Sequence, residues 1–529
     1  MVSENGTNQN LNNSDIIKPM KKVSFYVFLI LIILGFADSV FLTWEHYTLS
    51  SVGCPISPWI NCLAVTTSKY SELWGIPLSL LGSVYYIFLF FFLTRKETMF
   101  KHFFILTSTF GVLFSTYLIY IQAFAIGLFC LYCLASALIS YLIFGMTWVF
   151  LKNEWKTLVI DCMGYAYKYV FKPLLFLVDA EIVHENMVRM GESMLKIKLF
   201  KNLFKAIFVK KYKNLEQNIL GLNFKTPIGL AAGFDYEARL TQALPFVGFG
   251  FETVGTISYS SYEGNPRPML GRLPNSKSLL VNKGFKNLGI VESLKRLGSK
   301  KFLFPVGLSI GRTNSVELDT MDKSIEDIVK AFKLAKKSNL QNAYYELNIS
   351  CPNLMHNLSI NFYNVKNLEN LLTAVDKIAL KKPVFIKMPI DQSDKDSLSM
   401  LKVIAKHKIK GVIFGNLQTD KTNKILVQSE VKKFKMGKYS GKPTFENSNR
   451  LIKLTYKNFK DRLVIIGTGG VFNADDAWTK FENGASLVQL ITGMIFEGPQ
   501  LIAQINRDLS ERLQKEGYKN ISEIVGSAV

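Results

Sequence analysis

Apolar positions are spread very unevenly along this chain. From Phe103 to Leu151 there is no Asp, Glu, Lys, Arg or His, Gly75 to Thr94 is likewise uncharged, and Val23 to Trp44 carries only Asp38. A helix crosses the ~30 Å hydrocarbon core of a bilayer in about 20 residues, so the longest run fits two spans joined by a tight turn. Gln122 to Cys130 is the expected turn, and the segment 23–152 predicts a bundle of four transmembrane helices. The first apolar run is long and lacks a small-residue cleavage site, which argues against a cleaved signal peptide.

Beyond this region the pattern changes twice. Residues 153–219 mix Lys with large apolar residues at helical spacing, as in Tyr165-Ala-Tyr-Lys-Tyr-Val-Phe and Lys196-Ile-Lys-Leu-Phe-Lys. Such a pattern predicts amphipathic helices lying in a membrane interface. Within 220–529, short apolar runs alternate with longer Lys-rich helical stretches. The candidate strands are Ile228 to Ala232, Phe251 to Thr256, Phe304 to Leu308, Tyr344 to Ile349, Val384 to Met388, Gly411 to Phe414, Leu463 to Gly467 and Leu487 to Leu490. Strand-helix alternation of this kind predicts an α/β fold, a (β/α)8 barrel with its active site at the C-terminal strand ends. An open doubly wound sheet is the alternative.

Composition agrees with a multidomain membrane protein. A chain of 529 residues has room for about two to four domains. Hydrophobic residues at 49% against 20% charged exclude a disordered chain, and six Cys exclude a disulfide-rich scaffold. The net charge of +22 calls for an acidic partner surface. No nucleic-acid-binding motif accompanies it, so the anionic inner leaflet is the preferred reading and a solvated basic face the other. Positive charges also set the orientation. Lys18, Lys21 and Lys22, then Arg95, Lys96 and Lys101, then Lys152 and Lys156 flank the spans on one side, which is expected to be cytoplasmic. A plasma-membrane location follows, with the barrel inside and the loop from Glu45 to Trp74 outside. Residues 1–22 are expected to form a disordered cytoplasmic tail, in which the Asn5-Gly6-Thr7 sequon is a chance match.

This topology places Cys54, Cys62, Cys130 and Cys133 together at the outer face. Cys130-Leu-Tyr-Cys133 has the spacing of a dithiol redox pair and opens a helix, whose N-terminus favours a thiolate. Two small apolar residues at a helix start are the other reading of that pair, and a structural disulfide is the other reading of Cys54 and Cys62. The paired-cysteine loop, Asn61-Cys62 followed by Ser68, Trp74-Gly-Ile-Pro77 with Gly82, and the closing CxxC together resemble the vitamin K epoxide reductase family over about 23–150. The resemblance implies that the loop cysteines accept electrons from an external thioredoxin-like thiol protein. Cys130 and Cys133 would then deliver them to a quinone, with Ser68 near its head.

The strand ends of the second region carry a different chemistry. Gly467-Thr-Gly-Gly470 and Thr492-Gly493 offer backbone N–H groups where barrels commonly hold phosphate. Lys387 closes an apolar strand, where a lysine calls for an anion, and Asn348-Ile-Ser-Cys-Pro-Asn353 places two carboxamides around a thiol. With Pro227 to Asp235, Gly264-Asn-Pro-Arg-Pro268, Gly284-Phe with Asn287-Leu-Gly289, and Gly437 to Pro443, these stretches resemble the membrane-associated, quinone-using class of dihydroorotate dehydrogenase over about 160–510. The resemblance implies FMN held by Ala232, Gly233, Thr256, Asn348, Lys387, Gly441, Gly470, Thr492 and Gly493. It also implies Cys351 as the base that removes the C5 proton of dihydroorotate, Asn348, Asn353 and Asn416 on the substrate, and His184 in a quinone tunnel. Menaquinone or ubiquinone is the expected acceptor, and no metal is expected. Cys351 stands where the class has serine and, as a thiol, should ionise more readily. Four positions depart from the family: Tyr236 for a lysine, Val281 and Ser309 for asparagines, and Met269 for an arginine, with Asn282, Lys283 or Lys286 as possible replacements. The alternatives are therefore a barrel acting on another small molecule, or a transmembrane part that is only an anchor.

Overall fold

The computed structural model describes residues 13–49, 53–54, 57–95, 97–194, 196–298, 300–357 and 359–529. The first part of the expected tail, with its Asn5 sequon, lies outside the described residues. The chain divides into two compact units at Val159 and Ile160.

The first unit is built on α1 (Asn13–Thr48), α2 (Leu78–Thr94), α3 (Thr98–Ile121) and α4 (Leu131–Phe150). Helix α1 begins inside the stretch expected to be a tail. Val23–Thr48, Met99–Ile126 and Leu131–Phe150 are long and apolar enough to cross a membrane, whereas α2 has 17 residues. At 1.5 Å per residue α2 is about 25 Å long against the ~30 Å core, so three of the four expected helices have the length and composition of a full span and α2 is shorter. The lost turn has a local cause: Trp74 and Gly75 take positive φ and Pro77 is the N-cap, so the helix starts only at Leu78. Phe28, Ile32, Tyr86, Leu89, Phe104 and Ile143 form the core of the bundle, while Ile30, Phe88, Leu106 and Leu142 are exposed. Apolar residues outside and a Tyr86 hydroxyl shared with Ser136 at 3.3 Å inside are the arrangement lipid favours. The turn after α3 is where the charge-free run predicts it, as a Gln122–Ile126 π-turn closed by a left-handed Gly127.

Helices lead into the second unit: α5 (Lys152–Ala166), which the division cuts, and the amphipathic α6 (Ala180–Met194) and α7 (Lys198–Phe208). A short hairpin, Gln217–Ile219 with Leu222–Phe224, leads into the barrel. Its strands are β1 (Ile228–Leu230), β2 (Phe251–Ile257), β3 (Val306–Gly311), β4 (Tyr344–Asn348), β5 (Val384–Lys387), β6 (Gly411–Phe414), β7 (Val464–Thr468) and β8 (Leu487–Leu490). Val488 of β8 pairs with Ile228 of β1, which closes the cylinder and removes the open-sheet alternative. Only β3 is markedly displaced from its expected Phe304 to Leu308. Pro305 has no N–H to give and offers only its carbonyl, to the Glu252 N–H at 3.1 Å, so the strand proper begins at Val306 and runs on through Ser309 to Gly311.

The N-terminal end of the cylinder is stoppered by Phe224 of the hairpin together with Phe251, Tyr344 and Phe385, the Phe224 and Phe251 rings meeting edge to face at 5.3 Å. Removing a fully buried ring from such a cluster leaves a cavity, so Phe251→Ala is expected to lower barrel stability by about 3–5 kcal/mol. A reduced denaturant midpoint in detergent solution, with unchanged slope, would report it.

Candidate functional site

Neighbouring strand ends assemble the site at the other end of the barrel. Asn348 closes β4 and is in register with Lys387, which closes β5, so an amide and an ammonium stand side by side. Asn348 donates to the Thr256 hydroxyl at 2.8 Å, Thr256 and Ser309 share a hydrogen bond at 2.9 Å, and Ser309 donates to the Glu346 carboxylate at 2.6 Å. The serine at 309 is thus absorbed into a network across β2, β3 and β4. Ser350, in the loop after β4, ties the amides together: it donates to Asn348 Oδ1 from backbone and hydroxyl at 3.2 Å and accepts from Asn416 at 2.8 and 2.7 Å. Asn353 donates to the Val281 carbonyl at 2.9 Å, so Val281 contributes backbone where the family offers an amide.

One cavity of about 580 Å3 takes in Ala232, Gly233, Thr256, Asn348, Cys351, Asn353, Lys387, Asn416 and Thr492. A smaller lobe of about 80 Å3 shares Ala232, Lys387 and Thr492 and adds Gly441, Gly470 and Gly493. All nine cofactor residues expected from sequence therefore lie around connected space. A Cβ at Gly493 would collide with the Val471 carbonyl, and one at Gly441 with that of Lys277. Side chains are excluded there, and bare backbone with the Ser440 and Thr492 hydroxyls suits a phosphate. A flat polar mouth ending in a phosphate-sized lobe fits FMN.

Cys351 faces this cavity, but not as the readily ionised thiol expected. Burial pushes its pKa up to about 11, against the pull of the Asn353 backbone N–H and of the Lys387 and Arg312 charges. Enclosure outweighs the intrinsic acidity of a thiol. Arg312, at the end of β3, also donates to the His356 carbonyl at 2.9 Å and so holds the loop that carries Cys351. Ending β3 three residues too early hid it, since a strand ending at Leu308 puts no arginine at the barrel mouth. Ser440 and Ser350 were missed too, although both sit inside quoted motifs; a hydroxyl between recognised residues was their signal.

The same cavity continues between the helices past Leu175, Phe176, Met187 and Met190. His184 of α6 lines it, its ring edge on to Phe234 at 4.8 Å and near parallel to Tyr236 at 6.0 Å. Burial, with the Lys283 and Lys286 charges, holds His184 down to about 3, so the ring is neutral. Of the three possible replacements, Asn282 accepts from Asn265 at 3.0 Å and Lys286 pairs with Glu181 at 3.2 Å and Glu185 at 3.6 Å. Lys283 is different: its buried ammonium has no hydrogen-bond partner among the described residues. Met269 is simply buried.

A second site lies in the first unit. Cys54 and Cys62 form a disulfide, and Cys130 and Cys133 are free thiols. Asn61 donates to the Phe129 carbonyl at 3.0 Å and Phe129 to that of Trp59 at 2.8 Å, which pins the loop pair against the segment entering α4. Cys62 and Cys130 share one apolar cluster, with Cys54 and Cys133 packed against it. Cys130 caps α4, its sulfur accepting from the Cys133 N–H at 3.2 Å. Cys133 and Ser68 line a cavity of about 270 Å3 between the helices. Groups able to hold a metal are absent among the described residues.

Comparison with known proteins assigns both units. The profile of dihydroorotate dehydrogenase matches residues 214–513, and that of the vitamin K epoxide reductase family matches 26–148. Dihydroorotate dehydrogenase (quinone) of Trichodesmium erythraeum is 32% identical over 381 residues, 68% of this chain and 98% of that protein. The protein of the same name from Christiangramia forsetii is 33% identical over 351 residues, 65% of this chain and 99% of its own length. Among solved structures, DHODH from Eimeria tenella in complex with ferulenol superposes with a TM-score of 0.58 at 24% identity, covering 66% of this chain and 95% of that one, and shares the fold.

Proposed function

Because the chain belongs to the dihydroorotate dehydrogenase family and carries a vitamin K epoxide reductase family domain in the same polypeptide, we propose that it oxidises dihydroorotate to orotate with membrane quinone and separately passes electrons from thiols to quinone. The observation that carries the first activity is the single cavity joining Cys351, three asparagines and Lys387 to an apolar tunnel past His184. FMN, when bound, supplies a two-electron acceptor for the substrate and a two-electron donor for the quinone.

The protein's own groups do the rest. Cys351, as thiolate, takes the C5 proton as the C6–H bond gives up its electron pair. Asn348 and Asn416, locked through Ser350, and Asn353, locked on Val281, hold the flat substrate without reorganising. Lys387 offsets negative charge gained at the barrel mouth. Helix-borne apolar residues keep water out of the tunnel and accept the quinone's tail. Anaerobic addition of dihydroorotate to the purified, flavin-loaded protein should bleach the yellow colour, and quinone should restore it; colour that persists would reject the substrate and favour another small molecule, as Tyr236 allows.

The raised thiol gives a pH signature. Protonated Cys351 is inactive as a base and ionises as pH rises, so the bleaching rate at limiting dihydroorotate is expected to climb with pH from 7 to 10 and to level only near 11. Rapid-mixing absorbance across that range is the measurement, and a plateau reached by pH 8 would contradict it.

In the membrane unit, an external dithiol would reduce the Cys54–Cys62 disulfide and become a disulfide itself. The loop thiols would next reduce an oxidised Cys130–Cys133 pair, which once reduced passes two electrons and two protons to quinone in the cavity beside Ser68. Lysine and arginine placement supports the cysteines outside and the barrel inside the plasma membrane.

A further inference from the structure

Lys283 is 8% exposed and its ammonium has no hydrogen-bond partner among the described residues, although Lys286, three positions on, is paired twice. It lies over the face of Tyr236, 4.3 Å from the ring centre, and Tyr236 stacks on His184. All three line the large cavity where its apolar helical part meets the strand-end amides. An ammonium kept out of water calls for an oxygen acceptor, and a ring face satisfies it only in part. The helix-borne side of the lining is mainly apolar, and His184 carries no charge. A ligand suited to that place is greasy with an exposed carbonyl oxygen.

We propose that Lys283 is the hydrogen-bond donor to the head of the acceptor quinone, binding its carbonyl oxygen and stabilising the negative charge that grows there on reduction. This rests on the quinone-reducing role proposed above. The quinone takes two electrons that originate in substrate oxidation and two protons, and becomes a quinol; Lys283 supplies a hydrogen bond and a charge and is itself unchanged. Its setting favours such a role. Burial lowers its pKa to about 8, resisted by Glu181 and Glu185 on α6 and by Glu237, and assisted by Lys286, with neutral His184 and Tyr236 as the remaining titratable neighbours.

The test uses the full-length flavin-loaded protein in detergent, its Lys283→Met and Lys283→Arg variants, and a short-chain ubiquinone analogue. Bleaching by dihydroorotate and reoxidation by the analogue are timed separately, and binding of the analogue to the oxidised protein is followed by quenching of intrinsic fluorescence. Lys283→Met should weaken binding and slow reoxidation at least tenfold while bleaching stays within twofold, and Lys283→Arg should recover most of the loss. Wild-type reoxidation should fall as pH rises through about 8, where the ammonium is lost, and that limb should vanish in Lys283→Met. Slowed bleaching with intact reoxidation would overturn the assignment in favour of the substrate carboxylate; two unchanged half-reactions would overturn it outright. If dihydroorotate fails to bleach even the wild type, the substrate reading fails by itself, and reoxidation after dithionite reduction still decides the role of Lys283.

Discussion

Cys351→Ala is expected to slow anaerobic bleaching by dihydroorotate by about two to four orders of magnitude, the usual contribution of a positioned general base. Flavin content should be unchanged, because the phosphate lobe and Lys387 do not depend on the thiol. Cys351→Ser should keep part of the rate, since a hydroxyl occupies the same loop under the same Arg312 tether. Its alkaline limb should move beyond the accessible range, because a hydroxyl ionises far above a thiol. Equal bleaching by wild type and Cys351→Ala would remove Cys351 from the chemistry and, with it, the proposed proton acceptor.

Cys130→Ala is expected to abolish electron flow from an external dithiol to quinone while leaving dihydroorotate-driven quinone reduction untouched. Cys133 then has no partner with which to close a disulfide. The apolar cluster holding Cys62 also loses the buried sulfur of Cys130. The assay is quinol formation in proteoliposomes, with reduced thioredoxin and dihydroorotate supplied in turn. Unchanged thiol-dependent quinol formation would make the four helices an anchor, as the competing reading has it.

Much of this architecture was legible in the chain because charge exclusion and strand-helix alternation are strong signals. Seven barrel strands fall close to their expected places, and the misplaced one shows why the signal fails: an apolar run does not reveal where backbone pairing can begin, and Pro305 decides it. The second helix was overestimated for a similar reason, since Gly75 to Pro77 are apolar but belong to a small hairpin, in which Ile76 and Pro77 pair with Leu73 and Glu72. Residue identity located the amides, the thiol and the glycines. It did not locate the partners that fix them, because Ser350 and Arg312 act through contacts between strands distant in sequence. Nor did it give the Cys351 thiol its reluctance to ionise, which comes from enclosure. Spacing left Asn282, Lys283 and Lys286 equal as replacements for the departed family residues, and only the partners already held by Asn282 and Lys286 set Lys283 apart.

The helices at the tunnel leave Leu177 at 84% and Leu199, next to Lys198, at 72% exposed. If that greasy rim sits in a leaflet, the electron acceptor reaches the barrel from a two-dimensional film. Turnover should then follow the mole fraction of acceptor among the lipids and stay indifferent to its amount per litre. Adding empty bilayer to a reconstituted sample at fixed total acceptor would slow the barrel's acceptor-limited reaction simply by spreading that reactant over more area.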